Sequence, residues 1–130
     1  MYKIRKKVNI KGVIIMNIKL AERLAIIIGG GITEIEQRTG AILDTDENNN
    51  NLIIRDIKNS EVIKNIFAEY EAIIFFTSTG IAVRMIAPFI VHKVKDPAVI
   101  VLDEKANFAI SLLSGHLGGA NELTLKIADI

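Results

Sequence analysis

Two uninterrupted apolar runs restrict the fold of this chain more than any other feature. They are AIIFF at Ala72–Phe76 and AVIVL at Ala98–Leu102. A run of this length without polar alternation is typical of a strand that is covered on both faces, as strands are in parallel sheets with helices on either side. The sequence therefore predicts that Ala72–Phe76 is a central strand and that Ala98–Leu102 is a second buried strand.

Helical patterns alternate with these strands. From Ser60 to Tyr70, apolar residues recur at the spacing of one helix face. A second helix is predicted to end or kink at Pro88, and a third to cover Ala120–Ile130, while Phe108–Leu113 is predicted to be another strand. The alternation predicts an α/β fold in which a mostly parallel sheet is flanked by helices in a three-layer-like arrangement.

The chain has 130 residues, of which 50% are apolar and 24% are charged. This length suits one domain with a sizeable core, so we expect a single domain over residues 1–130. The segments that are candidates for a functional site, described below, lie in residues 72–130. Intrinsic disorder is not expected at this apolar content.

The first half of the chain gives weaker signals. Val13–Met16 has the length of a strand and Ile18–Ile28 has near-helical apolar spacing, so the expectation is a strand followed by a helix. The next residues, Gly29–Gly31, fit a helix C-cap, with a phosphate-binding loop as the alternative. The polar stretch Asp44–Asn51 predicts an exposed loop, and Leu52–Ile57 predicts a short strand.

Composition excludes several functional classes. Because there is no cysteine and there are two histidines, we expect neither a disulfide scaffold nor a metal site built by the protein. A net charge of +1 gives no drive toward nucleic acid or acidic membranes. The basic start of the chain is not followed by a signal-peptide cleavage pattern, and no apolar stretch approaches the ~20 residues of a membrane span. We therefore expect a cytoplasmic protein.

In open α/β sheets, ligands bind where the carboxyl ends of strands turn into helices, and two predicted turns fit this description. The first follows the AIIFF strand and consists of Thr77, Ser78, Thr79 and Gly80. Its hydroxyl groups are candidates either for ligand contacts or for helix capping, and its glycine permits close approach of a ligand. Arg84 is the single charged residue between Glu71 and Val91, so we expect it to pair with an internal carboxylate or to hold a carboxylate of a substrate.

The second turn is SGHLGG at Ser114–Gly119, before the last helix. His116 in this turn is a candidate acid–base group, and four free N–H groups at the start of the helix would favour an anion or a developing oxyanion. Asn121 and Glu122 are candidates for ligand contacts, or only for capping and for complementing the helix dipole. Asp103 is a candidate catalytic carboxylate, although a hairpin turn explains it as well.

Three segments between Phe76 and Ala128 carry a resemblance to a known family. They are TGI-x-VR-x-IAP in the second predicted helix, DPAV-x-V-x-DE around the second buried strand, and SLLSGHLGGANEL at the glycine-rich turn. Together they closely resemble the N-terminal domain of the cobalamin biosynthesis protein CbiG.

The resemblance implies the activity of a cobalt-precorrin-5A hydrolase in anaerobic cobalamin biosynthesis. That enzyme opens a δ-lactone on the macrocycle and releases acetaldehyde, which leaves cobalt-precorrin-5B. The cobalt would be carried by the substrate, so the protein would need no cofactor of its own. The main alternative is a non-catalytic module that binds a corrinoid intermediate, and a generic nucleotide-binding domain is the third.

Within that reading, His116 or Glu122 would be the base that activates water, with Asp103 as a further candidate. The amides of Gly115–Gly119 would stabilise the oxyanion, and Arg84 would hold carboxylates at the rim of the substrate. The candidate substrate-binding residues are Thr77, Ser78, Thr79, Gly80, Arg84, Ser114, Gly115, Gly118, Gly119 and Asn121.

Members of the family usually continue into a linker and a C-terminal domain. The resemblance therefore implies one of three situations. The chain is one domain of the enzyme, it is part of a split enzyme whose partner chain supplies the rest, or it is a truncated relic.

Overall fold

The computed structural model describes residues 1–4, 24–28, 51–55, 60–103 and 107–129. The described strands are β1 Tyr2–Lys3, β2 Leu24–Ile28, β3 Asn51–Arg55, β4 Ala72–Phe76, β5 Ala98–Leu102 and β6 Phe108–Leu113. The described helices are α1 Ser60–Glu69, α2 Thr79–Ile86 and α3 Ala120–Asp129, and a 3₁₀ turn at Ala87–Phe89 follows α2.

Within the described ranges, these strands form one sheet in the order β1-β6-β5-β4-β2-β3. The four strands β3, β2, β4 and β5 are parallel, with Ala72 of β4 paired to Leu24 of β2 and to Ala98 of β5. Strand β6 runs antiparallel to β5, and β1 runs antiparallel to β6. The prediction of an α/β fold with a mostly parallel sheet is confirmed, and β4 lies inside the sheet as expected.

The apolar runs are buried because helices cover both faces of the sheet. On one face, Ile73 and Phe75 of β4 belong to a core cluster with Ile63 and Ile66 of α1 and with Ile86 of α2. Helix α3 lies on the other face. There the Ser111 hydroxyl of β6 donates to Asn121 Oδ1 of α3 at 2.6 Å. The result is the three-layer arrangement that the alternation of strands and helices predicts.

The helix boundaries follow the sequence signals. Helix α1 begins at Ser60 as predicted. Helix α2 ends at Ile86, two residues before Pro88, and the chain continues as the 3₁₀ turn. Proline lacks a backbone N–H and clashes with the preceding turn, so it cannot continue an α-helix. Helix α3 begins at Ala120 and buries Leu123 and Ile127, which the apolar spacing had placed on one face.

One secondary-structure prediction is wrong. Leu24–Ile28 was expected to be the end of a helix, but it is strand β2, paired in parallel with both β3 and β4. Its Ala25, Ile26 and Ile27 are buried. A strand that is buried on both faces has no polar alternation, so apolar spacing alone does not separate it from a helix. The three consecutive isoleucines favour the strand because β-branched side chains fit a pleated surface.

Other predictions in the first half fall outside the described residues. These are the strand at Val13–Met16, the start of the predicted helix at Ile18, the helix C-cap predicted at Gly29–Gly31, and residues 44–50 of the predicted loop, whose last residue, Asn51, instead begins β3. The strand predicted at Leu52–Ile57 is confirmed as β3. Near the amino terminus, Ile4 is buried and its N–H donates to the Asn107 carbonyl at 2.8 Å. Among the described helices, none has the length and apolarity to cross a membrane.

Candidate functional site

The direction of β6 divides the predicted site residues between two edges of the sheet. We call the edge where β4 and β5 end the carboxyl edge, and the edge where they begin the amino edge. Because β6 is antiparallel to β5, its last residue, Leu113, pairs with Val99 near the start of β5. The loop after β6 therefore lies at the amino edge, whereas the turn after β4 lies at the carboxyl edge.

The two groups of candidate residues are consequently separated by the length of a strand. Five residue steps along β4, from Ala72 to Thr77, span about 17 Å at a rise of about 3.3 Å per residue. At the carboxyl edge lie Thr77, Ser78, Thr79, Gly80 and Asp103. At the amino edge lie Ser114, Gly115, His116, Gly118, Gly119, Asn121 and Glu122. The structure brings together the residues within each group and does not bring the two groups together.

At the carboxyl edge, the first turn is only partly open to a ligand. Thr77 is buried and its hydroxyl donates to the Ser78 carbonyl at 2.9 Å. Ser78 occupies the N-cap position of α2, but its side chain makes no capping hydrogen bond. Ser78, Thr79 and Gly80 are exposed.

Arg84 does not sit where its apolar sequence neighbours suggested. It is exposed on α2, and within the described residues it forms no ion pair with an internal carboxylate. Its guanidinium Nη1 reaches back to 3.7 Å from the position that a Cβ on Gly80 would take, so it lies over the first turn of the helix. The internal pairing that was one of two expectations is absent there, and the role of Arg84 toward a substrate carboxylate stays a prediction.

Asp103 closes the hairpin between β5 and β6. Its Oδ1 accepts a hydrogen bond from the Phe108 N–H at 2.6 Å, and its own N–H donates to the Phe108 carbonyl at 3.3 Å. Carboxylates at such turns commonly accept backbone hydrogen bonds. The hairpin alternative accounts for these contacts, and a catalytic role for Asp103 stays a prediction.

At the amino edge, Ser114 anchors the glycine-rich loop. It is buried and has a positive φ of 57°, a left-handed conformation that residues other than glycine rarely adopt. Its hydroxyl donates to the Asp96 carbonyl at 3.1 Å. This bond ties the loop after β6 to the segment that leads into β5.

Packing and backbone conformation favour glycine in this loop, most strongly at Gly118, where a Cβ would also lie 2.9 Å from the Ser114 carbonyl oxygen. A Cβ on Gly115 would lie 2.7 Å from Asn121 Oδ1, and a Cβ on Gly118 would lie 2.5 Å from Ser114 Cβ. Both distances are far shorter than van der Waals contact. Gly119 has room for a Cβ but has a φ of +81°, which favours glycine. Close packing and turn geometry therefore explain a glycine pattern that also suggested an anion cradle.

The expectation of four free N–H groups at the start of α3 is wrong. The Ala120 N–H donates to the Ser114 carbonyl at 3.1 Å, and the Asn121 N–H donates to the Gly115 carbonyl at 3.0 Å. The Gly119 N–H donates to the His116 carbonyl at 3.3 Å. The loop folds back onto the helix terminus and satisfies these donors, so they cannot also bind an anion without breaking the turn.

His116 and Leu117 are the residues of the loop that this internal packing does not explain. Both are exposed, and they lie between Gly115 and Gly118, the two positions at which close packing excludes a side chain. The buried Ser114 and Ala120 fix the loop at either end. The loop thus holds an imidazole and an isobutyl group out toward solvent from a well-supported backbone.

Glu122 lies in the first turn of α3, is exposed and pairs with Lys126, with Nζ 3.2 Å from Oε1. Both side chains border a cleft of about 140 Å³, which is also lined by Glu71, Ala72, Ala98, Gly118, Gly119 and Leu123. This volume is below the roughly 300–1,000 Å³ of pockets that enclose small-molecule ligands. At about 30 Å³ per water, the cleft has room for only a few water molecules.

The structure also shows a group that the sequence did not single out. Asp96 is buried, and both of its carboxylate oxygens accept the Val91 N–H at 3.1 Å. The Asp96 N–H in turn donates to the His92 carbonyl at 2.8 Å. Asp96 thus organises the loop before β5, which we call the 90–97 loop. Its neighbour Pro97 marks a turn, but nothing in the sequence indicates that the carboxylate points inward.

In the part of the chain that the structure describes, no three histidine, aspartate or glutamate side chains gather as ligands for a metal ion. The candidate groups at the amino edge are single side chains that can transfer a proton or form hydrogen bonds. They include one exposed imidazole and one carboxylate paired with a lysine.

Comparison with known proteins identifies the family. A family model described as cobalamin synthesis G N-terminal matches residues 61–130, more than half of the chain. The chain belongs to the CbiG N-terminal family. The matched residues include α1, β4, α2, β5, β6 and α3, and therefore both edges described above. The family resemblance of the sequence is confirmed.

Relatives of known name agree with this assignment. The chain is 54% identical over 67 residues to the cobalt-precorrin-5A hydrolase of Salmonella typhimurium, covering 52% of the chain and 19% of that protein. It is 49% identical over 67 residues to the cobalt-precorrin-5A hydrolase of Priestia megaterium, covering 52% of the chain and 18% of that protein. The chain thus spans about a fifth of the length of these relatives.

A solved structure shows the same fold. The chain is similar to a cobalamin biosynthesis protein G homologue from Sulfolobus solfataricus, with a TM-score of 0.60 and 25% sequence identity. The alignment covers 82% of this chain and 33% of that one. The likeness supports the arrangement of strands and helices described here for this CbiG N-terminal domain.

Proposed function

We propose that this chain acts in the hydrolysis of cobalt-precorrin-5A, as the N-terminal domain of the hydrolase, and that the loop carrying His116 works on the substrate. The relatives named as cobalt-precorrin-5A hydrolases support the reaction, because they are about half identical to the motif-bearing part of this chain. The cobalt belongs to the substrate in this proposal. The protein itself supplies no metal or cofactor.

The observation that carries the proposal is the exposure of His116 at the tip of a loop that internal hydrogen bonds hold in place. The Ser114 hydroxyl, the Asn121 amide oxygen and the first N–H groups of α3 all have partners within the protein. The imidazole of His116 is held out at the tip of the same loop. A side chain positioned in this way is available to a ligand at little cost in conformational change.

In the proposed reaction, the imidazole of His116 accepts a proton from water as the water oxygen adds to the lactone carbonyl. The resulting oxyanion would be stabilised by amides of Gly115–Gly118, since those of Gly119, Ala120 and Asn121 are already paired. The lactone C–O bond then breaks, which leaves a carboxylate on the ring side chain and an alkoxide on the excised carbon. The alkoxide becomes the carbonyl of acetaldehyde as the C–C bond between the excised carbon and the ring breaks, and the electron pair of that bond stays on the ring, which takes up the proton held by the imidazolium.

Glu122 is less suited to be the base than His116 is. Its carboxylate is exposed and is paired with Lys126, and an exposed pair of this kind contributes little to stability. We propose that Glu122 contributes negative charge near the site and that His116 moves the proton. The pairing also makes a direct test possible, because Glu122→Gln removes the charge while keeping the shape of the side chain.

The groups at the carboxyl edge would take a different part in the reaction. Arg84 and Thr79 lie a strand length from the amino edge, about 17 Å along the sheet. They cannot contact the atoms that react at His116 of the same chain. If they hold carboxylates of the substrate, they do so for a ligand that reaches around the sheet, or in an assembly with the rest of the enzyme or with a partner chain.

The test is an anaerobic incubation of the chain with cobalt-precorrin-5A, in which released acetaldehyde is measured. We expect acetaldehyde from the unaltered chain, a loss of about a hundredfold or more in His116→Ala, and a smaller loss in Glu122→Gln. Glu61→Gln is the matched control, because Glu61 is an exposed glutamate in the first turn of α1. Unchanged acetaldehyde release in His116→Ala would show that the assignment of the base is wrong.

A second candidate function is a binding module without catalytic activity. It is favoured by the small cleft at the amino edge, which cannot enclose a macrocycle. In this case the remaining part of the enzyme, in the same or a separate chain, would complete the site. Binding of cobalt-precorrin-5A without acetaldehyde would support the module, and the absence of both would overturn both candidates.

A further inference from the structure

Three large apolar side chains at the amino edge are mostly exposed to solvent. Val91 is 75% exposed, Val94 is 64% exposed and Leu117 is 69% exposed. Single exposed apolar residues are common on protein surfaces and need no explanation. These three differ because they belong to two loops that a hydrogen bond holds together.

The bond between the Ser114 hydroxyl and the Asp96 carbonyl joins the two loops at 3.1 Å. A chain advances at most about 3.6 Å per residue, so Val94 is within about 7 Å of Asp96, and Leu117 is within about 11 Å of Ser114. The hydrogen bond therefore holds the loop that carries Val91 and Val94 beside the loop that carries His116 and Leu117.

The 90–97 loop that carries two of them is internally braced. The Val91 N–H donates to both Asp96 carboxylate oxygens, and the Val94 N–H donates to His92 Nδ1 at 3.1 Å. The Lys95 N–H donates to the His92 carbonyl at 2.9 Å. A loop with this many local hydrogen bonds presents Val91 and Val94 in fixed positions, although burying them would be more favourable in the free protein.

The exposed charges of the 90–97 loop are positive. Lys93 and Lys95 are exposed and alternate with Val91 and Val94 along the loop. The carboxylate of Asp96 is buried and accepts backbone hydrogen bonds, so it is turned away from solvent. The surface thus interleaves apolar groups with ammonium groups.

We propose that Val91, Val94 and Leu117, with Lys93 and Lys95, form a platform on which a corrinoid ring lies. The apolar side chains would contact the face of the ring, and the two ammonium groups would pair with carboxylates at its rim. This inference rests on the proposed function, because it specifies where the same substrate is held relative to His116. It places the ring on an open surface, in keeping with a cleft too small to enclose one.

The chemistry of the surface favours such a ligand over a protein partner. A ring with apolar faces and a rim of carboxylates matches both features of the platform at once. Since Leu117 directly follows His116, a ring that covers Leu117 brings its edge to the imidazole. Docking of a protein to the same surface is the other outcome that the experiment resolves.

The experiment is a titration of the full chain with cobyrinic acid, a stable cobalt corrinoid that carries carboxylates at its rim. We expect the unaltered chain to bind it and Leu117→Asn to bind about five- to tenfold more weakly. Lys93→Gln and Lys95→Gln should each weaken binding about two- to fivefold at low salt, and less at high salt. Leu125→Asn on α3 and Lys64→Gln on α1 are the matched controls, because both residues are exposed outside the two loops.

Several results would overturn the platform. These are an unaltered chain that does not bind cobyrinic acid, an affinity that Leu117→Asn leaves unchanged, and equal losses in the control variants. If sedimentation instead shows that the same variants change the self-association of the chain, the surface is a protein interface. The titration needs no turnover, so its failure is distinguishable from a failure of hydrolysis. If the unaltered chain releases acetaldehyde and Leu117→Asn binds cobyrinic acid normally, the platform is wrong and the proposed function is still supported.

Discussion

Ser114 allows a sharp test of the loop geometry. Glycine usually makes a protein less stable than alanine does, but at position 114 we expect the glycine variant to be the more stable of the two. Both replacements remove the hydroxyl that donates to the Asp96 carbonyl at 3.1 Å in a buried position. The loss of that hydrogen bond should cost about 1–2 kcal/mol in either variant. The two variants differ in how well they adopt the positive φ of 57° and in the flexibility of the unfolded chain.

The difference between the variants can be worked out from this backbone conformation. A left-handed conformation costs a residue with a Cβ about 1–2 kcal/mol, and glycine escapes that cost. Glycine loses about 0.4–1 kcal/mol in return, because its unfolded chain is more flexible. Ser114→Gly should therefore be about 0.5–1 kcal/mol more stable than Ser114→Ala, a difference of about 2–5 °C in Tm for a domain of this size.

The measurement is urea or thermal unfolding of both variants, with a matched pair in a right-handed helix. Ala68 is exposed on α1, where Ala68→Gly should lower stability by about 1 kcal/mol. Glycine should thus give a more stable protein than alanine at position 114 and a less stable one at position 68. If glycine at position 114 is less stable than alanine by the amount found at position 68, the left-handed conformation of Ser114 is wrong.

Three further substitutions test neighbouring features. Gly118→Ala should destabilise the fold by about 1–3 kcal/mol in thermal unfolding, because its Cβ would lie 2.5 Å from Ser114 Cβ. Gly80→Ala should stabilise by up to about 1 kcal/mol, because it lies in helix α2 and its Cβ would meet only the flexible end of Arg84, at 3.7 Å. Asp96→Ala should cost about 1–3 kcal/mol and should increase hydrogen exchange in the 90–97 loop, since it removes the buried acceptor of a backbone amide.

The central strands of the fold could be predicted because their residue patterns fit a buried strand and no other element. Ala72–Phe76 and Ala98–Leu102 are short, wholly apolar and bounded by turn residues, and they form the buried strands β4 and β5. Leu24–Ile28 has the same character, but it follows a stretch with near-helical spacing. The spacing of apolar residues favoured a helix there. The segment forms a strand because it pairs with β3 and β4, which lie far away in sequence. Such long-range pairing is not visible in a window of neighbouring residues.

The division of the candidate site into two edges had a signal in the sequence. Only Asp103–Asn107 separates β5 from β6, whereas a crossover between parallel strands needs about a dozen residues. This short link requires β6 to run antiparallel to β5 and sends the SGHLGG loop to the amino edge. The rule that ligands bind at carboxyl ends applies to the turn after β4, and it does not place the turn after β6 beside it.

The inward position of Asp96 had no such signal. In the sequence it stands between two apparent surface features, the basic residues of the 90–97 loop and Pro97. Its burial results from Val91, whose N–H needs an acceptor, and from Ser114, whose hydroxyl fixes the Asp96 carbonyl. Both contacts join backbone groups to side chains across a fold that the local sequence does not specify.

The glycines of the SGHLGG loop shape the backbone of the loop. This limits which groups of the loop can contact a ligand. Gly115 and Gly118 are needed because Asn121 and Ser114 fill the space beside them, and the amides that begin α3 are used within the turn. The amides of Gly119, Ala120 and Asn121 are therefore not available to an anion, and those of Gly115–Gly118 are the ones left for the proposed oxyanion. The side chains that the loop exposes are those of His116 and Leu117. Under the proposed function, the imidazole of His116 would accept the proton and the adjacent Leu117 would contact the ring.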